Sequence, residues 1–116
     1  MLMLWYPKCT TCQKAKKWLD EKGFACEVRD IKLENPTEEE LRGWYQASGL
    51  PLKRFFNTSG LQYKALGLKD KLPVMDEEEQ LALLATDGML VKRPILVGDG
   101  FVLTGFKPQE WEEKLG

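Results

Sequence analysis

The chain has no histidine and only three cysteines among its 116 residues. A structural zinc site takes about four Cys or His ligands. Zinc would have to draw on Cys9, Cys12, Cys26 and a carboxylate, so no metal is expected. An odd number of cysteines also fits a reducing cytoplasm better than a secreted disulfide scaffold. Charge of one sign is missing as well: 17 basic residues face 18 acidic ones, for a net charge of −1. That balance gives no argument for a nucleic acid or a membrane as partner. No apolar run is long enough to span a bilayer. The start of the chain lacks the pattern of a secretory leader, and no repeat or low-complexity segment appears. What is present is a 43% hydrophobic fraction with four Trp, enough for the packed core of one domain over residues 1–116.

The feature that carries chemistry is Cys9-Thr10-Thr11-Cys12. The apolar run at residues 1–6 reads as a buried strand that Pro7 stops. From Cys12 onward Ala15, Trp18 and Leu19 recur at helical spacing, with Lys14, Lys16 and Lys17 between them as a solvated face. The motif therefore sits where a strand meets a helix. At a helix N-terminus the unpaired N–H groups and the macrodipole favour a thiolate over a thiol. Lys8 adds a positive charge beside Cys9. Two inert core thiols are the bland alternative. A Cys-x-x-Cys near a β-α-β pattern favours redox chemistry over it. Thr10 and Thr11 have hydroxyls to offer a ligand, although helix capping is their commoner role. Cys26 is expected to be a buried strand thiol without chemistry, and Trp5, Trp18, Trp44 and Trp111 to be packing residues.

The rest of the chain supplies a frame. The first helix is expected at Thr10–Lys22, stopped by Gly23. A second strand is expected at residues 24–31, completing a right-handed β-α-β unit. Asn35-Pro36 breaks the chain, and Thr37 with Glu40 forms a capping-box pattern ahead of Leu41, Trp44 and Tyr45. Short helices follow at residues 50–56 and 60–66, Pro73 breaks again, and Asp76 with Glu79 caps a further helix. Residues 94–97 and 101–104 read as strands joined by the turn Gly98-Asp99-Gly100. A last helix is expected at Pro108–Leu115. The order is α/β: β-α-β, a helical insertion at about residues 35–90, then β-β-α.

With Cys9, Cys12 and Lys92-Arg93-Pro94-Ile95 in view, the chain resembles the arsenate reductase (ArsC)/Spx family. The resemblance covers nearly the full length. It also rests on Tyr6-Pro7-Lys8-Cys9, Asn57-Thr58-Ser59-Gly60, Leu66-Gly67-Leu68 and Gly105-Phe106. It implies a thioredoxin-like (glutaredoxin-like) fold with a helical insertion, and a cis peptide before Pro94 placed against the reactive cysteine. Cys9 matches the catalytic cysteine of glutaredoxin-linked arsenate reductases, and Arg93 matches one of the arginines that hold the oxyanion there. The family's second arginine falls near Asn57. Its third falls at Phe106 or Lys107, where Lys107 offers charge without a bidentate fork. Arg93 is thus expected to stand nearly alone, and arsenate reduction to be weak or absent. Cys12 replaces the serine of well-known arsenate reductases and matches the Cys-x-x-Cys of Spx regulators, so it is expected to resolve an oxidised Cys9. The implied partners are a small oxyanion or glutathione, the latter as co-substrate, or a thiol-redox protein such as glutaredoxin. No bound cofactor is implied. The alternative is an Spx-like redox switch that binds RNA polymerase without turning over a substrate.

Overall fold

A computed structural model describes residues 1–115. The elements run β1 (Leu2–Trp5), α1 (Thr10–Lys22), β2 (Glu27–Asp30), α2 (Glu38–Ser48), α3 (Leu61–Ala65), α4 (Leu68–Lys71), α5 (Glu77–Leu84), β3 (Ile95–Val97), β4 (Val102–Thr104) and α6 (Pro108–Leu115). Single 3₁₀ turns lie at Leu52–Phe55, Leu72–Val74 and Gly88–Leu90. The four strands form one sheet in the order β2-β1-β3-β4. β1 runs parallel to β2 and antiparallel to β3, and β3 is antiparallel to β4.

Because side chains alternate across a strand, the sheet divides the apolar residues into two cores. Met3, Leu96 and Leu103 face one side, where Ala15 and Leu19 of α1 and Trp111 of α6 cover them. Leu4, Ile95 and Val102 face the other side, where the helical insertion supplies Ile31, Leu41, Phe55, Phe56, Leu81, Leu84 and Leu90. β1 is central and buried on both faces, which is why its sequence reads as a continuous apolar run. The result is three layers, α1 and α6 on one face of the sheet and the insertion on the other, in the thioredoxin-like arrangement that the order of elements implied.

Several boundaries differ from the sequence reading, each for a local reason. β2 begins at Glu27, not at residue 24. Gly23 ends α1 in the left-handed region at φ 79°, and the Phe24 N–H donates back to the Leu19 carbonyl at 3.0 Å. This 6→1 bond holds Phe24 to the helix end, where it stacks on Trp18. Cys26 therefore precedes the strand and is half-buried rather than a buried strand thiol. Within residues 50–56 only Leu52–Phe55 coils, because Phe56 pairs with Val91 in an isolated bridge. Gly67, at φ 65°, separates α3 from an α4 that was not anticipated. Pro73 sits inside a 3₁₀ turn instead of breaking the chain.

Two expected capping boxes are present, Thr37 with Glu40 and Asp76 with Glu79. The first does more than start α2. Glu40 also takes a two-pronged ion pair from Arg29 of β2, Nη1 to Oε2 at 2.7 Å and Nη2 to Oε1 at 3.0 Å. Arg29 in turn donates to the Glu34 carbonyl at 2.9 Å. One guanidinium thus fixes the path from the sheet into the insertion, because its planar fork meets a carboxylate and a backbone carbonyl together.

Candidate functional site

The chain leaves β1 through a turn closed by the Cys9 N–H on the Tyr6 carbonyl, at 2.9 Å. Cys9 then becomes the N-cap of α1, in an extended conformation. This places its sulfur where the first helical N–H groups have no partner in the helix. Burial alone would push the Cys9 thiol up. The Cys12 N–H, the Cys12 thiol, the Arg93 guanidinium and the Thr11 N–H outweigh it and hold Cys9 below the ordinary thiol value. Cys12 lies one helical turn in and is 0% exposed. Burial pushes it up to about 12, and donation of its proton to Cys9 pushes the same way. Two thiols three residues apart thus have opposite characters, one half-buried with its proton held loosely and the other buried and donating its proton to the first. Both are free thiols.

Cys9 opens into a cleft of about 700 Å³, within the usual range for small-molecule sites. Its walls come from four separate stretches. The start of α1 gives Cys9 and Thr11. The insertion gives Arg54, Asn57 and residues 59–62. The approach to β3 gives Met89, Lys92 and Arg93, and the end of β4 gives residues 104–107. The peptide bond between Arg93 and Pro94 is cis, as the resemblance implied. Pro94 is buried, and its carbonyl accepts from the Gly105 N–H at 2.8 Å, which joins two of the cleft's walls. The Arg93 guanidinium lies over the Tyr6 ring, 5.5 Å from its centroid, and Nη1 makes a long contact of 3.5 Å to the Met89 carbonyl. Its Nε is buried without a partner among the described residues.

Of the residues expected at the site, Cys9, Thr11, Asn57, Arg93 and Lys107 line this cleft. Cys12 stands behind Cys9, and Pro94 supports the wall. Lys8 does not take part as expected. It is exposed and lies outside the cleft lining, and the neighbouring charge that lowers Cys9 is that of Arg93. Thr10 and Thr11 do not cap the helix, because Cys9 itself is the N-cap. Thr10 is exposed and outside the lining. Asn57 is tied down locally: its N–H donates to the Leu90 carbonyl at 2.8 Å, and its Oδ1 accepts from Ser59 at 3.3 Å.

Of the other residues that line the cleft, three bear most on its chemistry. Arg54 lies three residues before Asn57, so a search one turn either side of that position would have found it. Lys92 was visible in the motif but given no role. Thr104 is 4% exposed, and its Oγ1 has no hydrogen-bond partner among the described residues. Nothing in the sequence signals this beyond an inward-facing position at a strand end. The expectation that Arg93 stands nearly alone is therefore corrected, since Arg54, Lys92 and Lys107 line the same cleft.

Comparison with known proteins bears on the whole chain. It is 54% identical over 109 residues to the uncharacterized protein YusI of Bacillus subtilis (strain 168), covering 94% of this chain and 92% of that one. It is 32% identical to the regulatory protein MgsR of the same organism, covering 90% and 82%. Among solved structures, an ArsC family related protein from Bacteroides fragilis superposes with a TM-score of 0.94 at 62% identity, covering 97% and 94%. A possible arsenate reductase from Streptococcus mutans UA159 superposes with a TM-score of 0.87 at 45% identity, covering 96% of each chain. Residues 4–114 match the profile of the ArsC family, and the chain belongs to that family.

Proposed function

We propose that the protein is a thiol–disulfide oxidoreductase in which Cys9 is the nucleophile and Cys12 the resolving thiol. The observation that carries this reading is the split between the two thiols, Cys9 held below the ordinary value and Cys12 pushed up to about 12. The thiolate is the attacking species, so at neutral pH Cys9 reacts first. Its sulfur attacks one sulfur of a disulfide, the S–S bond breaks, and one thiolate leaves. Part of what raises Cys12 is the charge on Cys9 and the hydrogen bond to it. Both vanish once Cys9 is in a mixed disulfide, which lowers the barrier to ionising Cys12 although its burial remains. Cys12 then attacks Cys9, its proton goes to the second leaving thiolate, and the protein ends as a Cys9–Cys12 disulfide. The two electrons come from the dithiol. A thiol reductant, glutathione or a glutaredoxin-like protein, restores it. Arg93 holds an anionic oxygen of the substrate. This chemistry suits a reducing cytoplasm.

Alkylation rates against pH for single-cysteine variants test the roles, with peptide mapping after mild oxidation. The expected result is fast, low-pH labelling of Cys9 and a Cys9–Cys12 bridge with Cys26 free. Faster labelling of Cys12 or Cys26, or a dominant Cys9–Cys26 bridge, refutes the assignment.

A second reading is a redox switch that binds RNA polymerase. The likeness to the regulatory protein MgsR supports it. Capture of RNA polymerase by the protein, with and without oxidant, separates a switch from a turnover enzyme.

A further inference from the structure

Beside the Cys9 cleft lies a second hollow, of about 330 Å³, lined by Pro51, Lys53, Arg54, Phe56, Thr58 and Lys92. Arg54 and Lys92 line both hollows, so the two adjoin. Three of the six lining residues are cationic and none is acidic. Five of the 17 lysines and arginines make ion pairs among the described residues, Lys16, Lys17, Lys22, Arg29 and Arg42. Lys53, Arg54 and Lys92 make none among the described residues. On the inner side of the cleft, the Thr104 hydroxyl and the Arg93 Nε–H are buried donors without acceptors among the described residues. Such donors are costly to leave unpaired, and they mark places where a ligand oxygen belongs.

We propose that this annex is an anion subsite, and that it makes the substrate of the Cys9 cleft a small disulfide carrying carboxylates. One carboxylate or carbonyl oxygen sits on the Thr104 hydroxyl and Arg93. A second, further along the same molecule, sits among Lys53, Arg54 and Lys92, with the Thr58 hydroxyl beside them. The sulfur between them faces Cys9. A small molecule fits better than a protein surface because both sites are concave, and the cleft volume matches small-ligand pockets. The inference rests on the oxidoreductase reading and names the substrate class for it. The step is the one already balanced: the reduced Cys9–Cys12 pair gives up two electrons, and the disulfide leaves as two thiols.

The test is single-turnover oxidation of the reduced protein by glutathione disulfide, which is anionic, and by bis(2-hydroxyethyl) disulfide, which is neutral. The readout is the ratio of the two second-order rate constants. In Lys53→Gln/Arg54→Gln this ratio is expected to fall about fivefold, and added salt is expected to lower it in the wild type. Thr104→Val is expected to lower it independently. An unchanged ratio in the double variant overturns the annex, as does an equal loss with both disulfides. If neither disulfide oxidises Cys9 in the wild type, the oxidoreductase reading itself falls. An annex that recognises an acidic protein instead would show an unchanged ratio here, together with salt-sensitive capture of that protein.

Discussion

Cys9 owes its low proton affinity to named neighbours, so each can be removed in turn. Cys12→Ala deletes the thiol that donates to the Cys9 sulfur, and Arg93→Ala deletes the nearby charge. Both are expected to raise the Cys9 pKa and slow its alkylation at neutral pH, while at high pH the rates converge on the wild-type value. A titration of iodoacetamide reactivity checks both, and an unmoved midpoint in Arg93→Ala would rule out that residue as an influence on Cys9. Thr104 makes the opposite kind of prediction. Its hydroxyl is buried and unpaired, so Thr104→Val replaces a frustrated group by a methyl of similar shape. The variant is expected to gain about 1 kcal/mol, or roughly 4 °C in Tm, while losing ligand affinity. Thermal unfolding with and without glutathione disulfide shows whether stability and binding separate in this way.

Elements show which parts of the fold sequence logic reaches. Caps, breaks and periodicity are local, and α1, α2, α5 and α6 were legible from them. The span of β2 was not, because a helix-end hydrogen bond at Phe24 delays the strand. Nor was Arg54, whose place at the cleft depends on a 3₁₀ turn anchored by the buried Leu52 and Phe55 and on no motif. The Thr37–Glu40 box was visible, yet the tie from Glu40 to Arg29 spans two elements and leaves no local mark. That tie sets a pH dependence. The hydrogen bond from Arg29, against the opposing effect of burial, holds the Glu40 carboxyl down to about 2. An ordinary glutamate titrates near about 4.3. Glu40 therefore stabilises the fold above that value, and the contribution is lost as pH falls from there through about 2. Glu40→Gln is expected to cost about 1 kcal/mol at pH 7, allowing for solvent at a carboxylate about one-third exposed. Urea titrations at pH 7 and pH 3 should show the gap between variant and wild type narrowing in acid.

Across the whole molecule, the insertion is a loop whose two ends touch. Ile31 begins it just after β2, and Gly88 closes it before the approach to β3. A Cβ on Gly88 would lie 1.8 Å from the Ile31 carbonyl oxygen. Asn35 Nδ2 spans the same seam, donating to the Ala85 carbonyl at 2.7 Å. Gly88→Ala is expected to cost more than about 3 kcal/mol, or to prevent folding, because backbone must move to admit the methyl. Soluble yield and urea midpoint measure this, and wild-type stability in the variant would show the seam to be slack. The same closure brings Arg54 and Asn57 over a sulfur that lies far back in the chain, at residue 9. Finally, Cys12 is sealed from solvent while Cys9 is not. This imposes a sequence of events: an oxidant from outside meets Cys9 before Cys12, and the inner thiol joins only through the outer one. If Cys12 resolves Cys9 as proposed, the pair is a latch with a fixed order of closing. A peroxide that converts Cys9 to a sulfenic acid would then be answered from within the same chain, ahead of the irreversible steps of overoxidation.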